Sequence, residues 1–239
     1  MTKQKILLAD SDWNVGPVVK SYLEDKGFIV TLLTGGNETL DNFNRKDFDF
    51  CIFDADIPQI DGIELTSRIR SSNQKTPILI LSEKISEEIM VKAFEAGADD
   101  YVTKPFSMTE LYLRINAILR RCVQEDADSE AIKLGIFTFN KPSRSLTYQD
   151  PVLDTQKTIS ITTKEAGILY LLVKNINKVV SRQELLSKAW NNETYMHARS
   201  MDVYMSRLRR ILLPDPTLEI LNQRSEGFVL KSKDKEIVS

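Results

Sequence analysis

Five short apolar runs, each followed by a stretch of helical character, restrict the first half of this chain to a narrow set of folds. Residues 5–9, 29–33, 48–53, 78–81 and 101–102 are close to continuously apolar rather than alternating, the pattern of strands covered on both faces. Helices are expected near 14–26, 36–45, 62–71, 86–96 and 107–122. Gly27 and Gly97 follow the first and fourth of these, where a helix C-cap needs positive φ. Such alternation implies a doubly wound, five-stranded parallel sheet of the flavodoxin-like kind, with its site at the carboxyl ends of the strands. No glycine-rich phosphate loop succeeds the first strand, which argues against a nucleotide fold; acidic residues stand there instead.

The pattern changes after residue 123. Residues 124–130 (QEDADSE) are polar and read as a linker. Beyond them come β-like runs at 132–139, 145–148 and 158–161, helical stretches near 163–175, 181–190 and 197–213, and a terminal hairpin at 218–222 and 227–230. Strands, then helices, then a hairpin describe a winged helix-turn-helix of α+β class. The expected organisation is a first domain over 1–123, a linker over 124–130, a winged-helix domain over 131–233 and a tail over 234–239.

Charge divides along the same line. Residues 1–130 hold 15 Lys/Arg against 23 Asp/Glu, and residues 131–239 hold 17 against 11, so a net charge of −2 conceals an acidic half and a basic half. A basic domain suits a polyanionic partner, although uneven surface charge alone would look the same. No apolar run approaches the roughly 20 residues of a membrane span, and the polar start MTKQK is not a signal peptide. A cytoplasmic protein with no membrane partner is expected. The two cysteines, Cys51 and Cys122, form no disulfide framework, and Cys51 reads as a small core residue. The single histidine, His197, sets aside His-rich metal sites and a histidine phosphorelay within the chain. It reads as a polar residue at a helix start rather than a pH sensor.

Three carboxylates fall where the alternation predicts strand ends: Asp10 and Asp12 after the first strand and Asp54 after the third. Ser82 ends the fourth strand, and Lys104 follows the fifth, directly before Pro105. Strand-end aspartates are common turn formers, so any one of them is unremarkable by itself. Together they make a different case: converging carboxylates suit a hard divalent cation such as Mg²⁺, and a lysine ammonium and a hydroxyl beside them suit phosphoryl oxygens.

These residues sit in segments that resemble receiver domains of two-component systems: FDADIPQIDG, LSEKISEEIM, EAGADDYVTKPFS and ELYLRINAILRR. The tail LTYQD…ITTKEAGILYLL…VSRQELLSKAW…ARSMDVYMSRLRRIL…EGFVL resembles the DNA-binding domains of the OmpR/PhoB class. The two resemblances cover nearly the whole chain. They imply a DNA-binding response regulator rather than an enzyme, with Asp54 as phosphoacceptor, Asp10 as a metal-binding acid and Mg²⁺ as cofactor. They further imply Ser82 as the switch hydroxyl, Tyr101 as the aromatic that changes rotamer, Lys104 as the phosphate-binding lysine, and a cis peptide before Pro105. The implied partners are double-stranded DNA, a sensor histidine kinase and a second copy of the chain, with RNA polymerase left open.

The chain departs from the family at the metal site. Receivers carry two adjacent acids after the first strand, and here the pair is Asp10-Ser11. Asp12 lies one residue on. Asp56, two residues after the acceptor, is a candidate to restore the missing carboxylate, giving Asp10, Asp54 and Asp56 as the expected metal set. A regulator working largely without phosphorylation is the alternative that Ser11 favours. A phosphatase with Asp54 as nucleophile and Asp56 as general acid also fits the two-residue spacing, but a half of five βα units leaves no substrate-binding cap.

By the same resemblance a receiver dimer would pair Lys92 with Glu110, Asp100 with Arg114, and Asp99 with Arg121 across a two-fold axis. In the second half, spacing residues at about 100° each from Met201 gathers Met201, Tyr204, Met205, Leu208, Ile211 and Leu212 on one arc. Arg199, Val203, Ser206, Arg207 and Arg210 fall on the other. Such a helix suits a major groove, where Arg bonds guanine and the apolar Val203 meets a thymine methyl. The resemblance makes Arg207 the base reader, and Arg199, Tyr204, Ser206 and Arg209 phosphate contacts. Ser200 belongs to the same DNA-facing set, Arg224 reaches the minor groove from the hairpin, and Trp190 and Asn222 touch the backbone. Relatives carry glycine after that arginine where this chain has Ser225.

Overall fold

The computed structural model describes residues 3–83, 86–124, 131–150, 153–190, 195–223 and 226–233, with side chains omitted from description at 121–124, 189–190 and 195–200. The chain forms two compact units, Met1–Arg120 and Arg121–Ser239.

In the first unit β1 (Lys5–Ala9), β2 (Ile29–Leu33), β3 (Phe50–Asp54), β4 (Ile78–Ser82) and β5 (Asp100–Thr103) form one parallel sheet in the order β2-β1-β3-β4-β5. Helices α1 (Gly16–Asp25), α2 (Gly36–Arg45), α3 (Gly62–Ser72), α4 (Glu87–Ala96) and α5 (Met108–Gln124) alternate with the strands. The central strands β3 and β4 are buried at every position, as their continuous apolar runs require. Alternate side chains serve opposite faces: Ile6, Leu8, Phe50, Ile52, Leu79 and Leu81 pack with Val19 and Leu23 of α1 and with Leu111, Ile115 and Ile118 of α5. Gly27 and Gly97 hold φ of 96° and 104° after α1 and α4, the left-handed conformation in which glycine meets no steric penalty. Cys51 is a buried free thiol; burial pushes its ionisation far up, beyond the range of a reactive cysteine.

The register that matters most runs across β1, β3, β4 and β5. Ala9 pairs Phe53, Asp54 pairs Leu81 and Ser82 pairs Thr103, so the carboxyl ends of four strands lie level. Gly62, the first residue of α3, packs directly on the Asp54 backbone. A Cβ there would stand 2.2 Å from the Asp54 carbonyl oxygen, and only a residue without one lets α3 approach the strand end so closely.

The second unit opens with an antiparallel four-stranded sheet, β6 (Ile132–Leu134), β7 (Phe137–Asn140), β8 (Ser145–Gln149) and β9 (Gln156–Ser160). Three helices follow: α6 (Thr163–Lys174), α7 (Arg182–Trp190) and α8 (Tyr195–Leu212). The hairpin β11 (Leu218–Gln223) and β12 (Gly227–Ser232) carries the short strand β10 (Val180–Ser181) on its β12 edge. This is a winged helix with a preceding sheet. The single run expected at 132–139 is two strands with a turn at Gly135. That glycine has φ of 54°, and a Cβ would lie 1.9 Å from Asp215 Oδ2, which itself accepts from the Ile136 N–H at 2.8 Å. The expected linker falls largely outside the described residues, and α5 extends to Gln124.

Candidate functional site

The strand ends converge as expected. Asp10 follows β1, Asp54 closes β3, and Lys104, one residue past β5, reaches both: its Nζ donates to Asp10 Oδ2 at 3.2 Å and to Asp54 Oδ2. The backbone tightens the same cluster, with Ala55 N–H donating to Leu81 O at 2.7 Å and Lys104 N–H to Ser82 O at 2.8 Å. The other carboxylate oxygens are occupied by local turns, Asp10 Oδ1 accepting from Asp12 N–H at 2.8 Å and Asp54 Oδ1 from Asp56 N–H at 2.7 Å. Asp10, Asp54 and Ser82 are all buried. Tyr101 lies on β5 opposite Ile80 with its ring buried. The Lys104–Pro105 peptide is cis.

Electrostatics follow from that burial. Desolvation lifts Asp10 above the usual carboxylate range against the pull of the Asp12 amide and of Lys104, and the neighbouring Asp54 charge adds to the lift. Lys104 is raised too: burial works against its ammonium, but Asp54 and then Asp10 outweigh it. The raised Asp10 has a testable consequence. Its folded form binds a proton more readily than its unfolded form. The stability it contributes is therefore present in full below the unfolded pKa and lost as pH rises through the folded one. Asp10→Asn, which mimics the neutral form, should therefore raise Tm at pH 7 and bring little change at pH 4, as followed by thermal unfolding at the two pH values.

The expected metal set is corrected in one member. Asp56 donates its backbone N–H to Asp54, and the residue itself is exposed, unlike the buried Asp10 and Asp54. Among the described residues no three His, Cys, Asp or Glu side chains gather as a metal cage. The pocket instead holds a pair of carboxylates, Asp10 and Asp54, near enough to share one ammonium. That donor set fits Mg²⁺, which keeps several waters and takes one or two carboxylates together with phosphate oxygens.

In the second unit α8 presents two faces. Met201, Tyr204, Met205, Leu208 and Leu212 are buried; Ser206 and Arg210 are exposed; Val203, Arg207 and Ile211 are half-buried. Tyr204 is corrected: at 0% exposure it belongs to the core, because the apolar arc claims it, and it offers no hydroxyl to a phosphate. Arg209 is exposed, but its Nε donates to the Ile220 carbonyl of β11 at 2.8 Å, tying the helix to the hairpin. Arg207 Nε lies 2.8 Å from Oε1 of Glu165 on α6, a residue that the sequence pattern did not single out. Asn222 is exposed on β11. The side chains of Trp190, Arg199 and Ser200, and residue Arg224, lie outside the described residues.

Two family descriptions match: the response regulator receiver domain over residues 6–116, and the C-terminal domain of transcriptional regulatory proteins over 156–230. The transcriptional regulatory protein RprY of Bacteroides fragilis is 37% identical over 235 residues, covering 98% of this chain and 97% of its own. The chain is a response regulator of the OmpR/PhoB family. Among solved structures, the response regulator DrrB, described as a Thermotoga maritima OmpR/PhoB homologue, superposes with a TM-score of 0.51 at 25% identity, covering 97% of the regulator and 100% of that chain. A point mutant of RitR shares the fold at TM-score 0.76 and 20% identity over 96% and 99% of the two chains. The regulator thus joins a receiver to a DNA-binding winged helix, and its family consists of transcriptional regulators rather than enzymes. Among its described residues no helix is long and apolar enough to cross a membrane.

The charges expected to pair between two receivers of the regulator are engaged within one. Lys92 pairs with Glu88 at 2.7 Å, and Arg114 with both Glu110 at 2.9 Å and Asp100 at 3.1 Å. Lys92 and Glu110 stay exposed and Arg114 partly so. Asp99 does not fit that role. It is 1% exposed and bound to the buried Arg70 at 2.8 Å, with its Oδ2 also accepting from the Ile78 N–H. An acid spent on its own core is not available to a partner. The side chain of Arg121, its expected counterpart, lies outside the described residues.

Proposed function

We propose that Asp54 accepts a phosphoryl group from a sensor histidine kinase or a small phosphodonor, and that this modification promotes receiver association and sequence-specific DNA binding. The observation that supports it is Lys104, whose ammonium bridges Asp10 and Asp54 in a buried pocket. An Asp54 oxygen forms the new P–O bond as the P–N bond to the donor histidine breaks. Lys104 then moves from the carboxylate to the phosphoryl oxygens, and the Ser82 hydroxyl donates to another. Asp10 and Asp54 would hold Mg²⁺, whose charge would supply neutralisation of the transferring oxygens. Drawing Ser82 and Lys104 toward the phosphate, with Tyr101 following, biases α4 and α5 toward the associating state. Two tethered winged helices then engage two half-sites, each with Val203, Ser206, Arg207 and Arg210 toward the groove. Arg199, Ser200, Arg209 and Arg224 complete the proposed contact set, with Trp190 and Asn222 on the backbone. The reading is of a cytoplasmic regulator of transcription, with RNA polymerase as a further partner.

A second reading has a specific support. With Ser11 in place of an acid and two carboxylates in the pocket rather than three, Mg²⁺ binding is weakened, and the regulator could bind DNA with little dependence on phosphorylation. Mass spectrometry after acetyl phosphate treatment, with and without Mg²⁺, followed by sizing, separates the two. A Mg²⁺-dependent phosphoryl adduct on a larger species supports the first; an unmodified chain at saturating donor and Mg²⁺ supports the second.

A further inference from the structure

A glutamate at the third position of a helix commonly turns back to satisfy the N-cap amide, and one carboxylate oxygen is enough for that. Glu165 does so with Oε2, which accepts from the Thr162 N–H at 2.7 Å, while Thr162 Oγ1 accepts from the Glu165 N–H at 3.3 Å. Its second oxygen is not explained by capping. Oε1 is buried and takes no aligned hydrogen bond, yet it lies 2.8 Å from Arg207 Nε. The Glu165 side chain is 2% exposed and that of Arg207 22%. Their attraction acts in a poorly screened setting, and separating them would strand a carboxylate inside the protein.

We infer that Glu165 is a positioning residue for DNA readout: its buried carboxylate fixes the guanidinium of Arg207 on the outer side of α8, so that sequence preference depends on a residue that touches no DNA. This rests on the reading of Arg207 as the base-contacting arginine. A bidentate contact with guanine O6 and N7 needs two donors in one plane and one direction. An untethered arginine samples many rotamers and loses that freedom on binding. It also drifts to phosphates, which rewards every sequence equally. The 2.8 Å ion pair at Nε restricts where the guanidinium can stand. DNA has no means of extracting Arg207 without leaving Glu165 uncompensated, so the pair persists in the complex.

Positioning and simple electrostatics predict opposite signs. Glu165 is a negative charge in a DNA-binding domain, and removing it should tighten binding to all DNA if charge alone matters. The test uses the full chain and two probes: a duplex enriched by the wild-type chain from a randomised library, and a shuffled duplex of the same composition. Glu165→Gln retains an oxygen for the Thr162 amide. It should lower the affinity ratio between the two probes about 10-fold, leave the shuffled probe bound as tightly as before or more so, and hold Tm near wild type. Combining it with Arg207→Ala should lower the ratio no further than Arg207→Ala alone, because the two residues act as one unit. An unchanged ratio in Glu165→Gln beside a collapsed one in Arg207→Ala would overturn the inference and leave Arg207 as a reader. Unchanged ratios in both would overturn the inference together with the reading of Arg207. Thr162→Ala removes the cap but keeps the ion pair; an equal loss of ratio in that variant would assign the effect to the cap and overturn the inference as well.

Discussion

Arg70→Ala should destabilise the receiver by about 3–5 kcal/mol, the cost of leaving a buried charge without its partner. Four of the five guanidinium N–H groups have these partners: Nε donates to Gly97 O at 2.9 Å, Nη1 to Asn73 O at 3.0 Å and Thr76 O at 2.8 Å, and Nη2 to Asp99 Oδ2 at 2.8 Å. One side chain thereby ties the end of α3, the approach to β4 and the turn after α4. With Arg70 4% and Asp99 1% exposed, no solvent compensates for the loss of either. The receiver Tm should fall by roughly 10–25 °C, measured by thermal and urea unfolding. Arg70→Met with Asp99→Leu should recover much of the loss, because the desolvation penalty disappears with both charges. The same substitutions separate two views of Asp99. As an interchain contact, Asp99→Ala would weaken association and spare the fold; as a core ion, it unfolds the receiver. A loss under about 1 kcal/mol, the size of a surface pair, would contradict the core assignment.

Asp54→Ala should reduce phosphoryl incorporation to background and abolish the donor-driven gain in DNA affinity, which for two linked half-sites is on the order of 10². The variant should remain folded. Lys104 keeps Asp10 as a partner, and Asp10 is relieved of the nearby Asp54 charge that helps to raise it. Phosphoryl transfer to a folded Asp54→Ala chain at the wild-type level would assign the acceptor elsewhere.

The receiver was legible because its signals are local. Residues 5–9, 29–33 and 36–45 appear as β1, β2 and α2 at the expected bounds, since short apolar runs mark the strands and the polar stretch between them leaves a helix as the connection. Asp10, Asp54 and Lys104 could be placed together because parallel topology brings successive strand ends to one edge. The turn at Gly135 was not legible as such: its partner, Asp215, is far along the chain. Asp99 and Asp56 failed for the same reason from opposite sides. Neighbouring acids look alike in a sequence, but Asp99 meets Arg70 in the core, whereas Asp56 is exposed. Tyr204 fell both on the apolar arc and among the family's DNA contacts, and packing decided for the core. Glu165 carried the ordinary signature of a helix start, and only the fold brings α8 against it.

Coupling between the two domains is the central claim, and the affinity of one preparation for one duplex, measured before and after phosphodonor with Mg²⁺ present, tests it most directly. A dissociation constant lower by a factor on the order of 10² after treatment, reverting when Asp54 is replaced by Ala, is the expected result. Equal affinities before and after, in a chain shown by mass to carry the phosphoryl group, would contradict it.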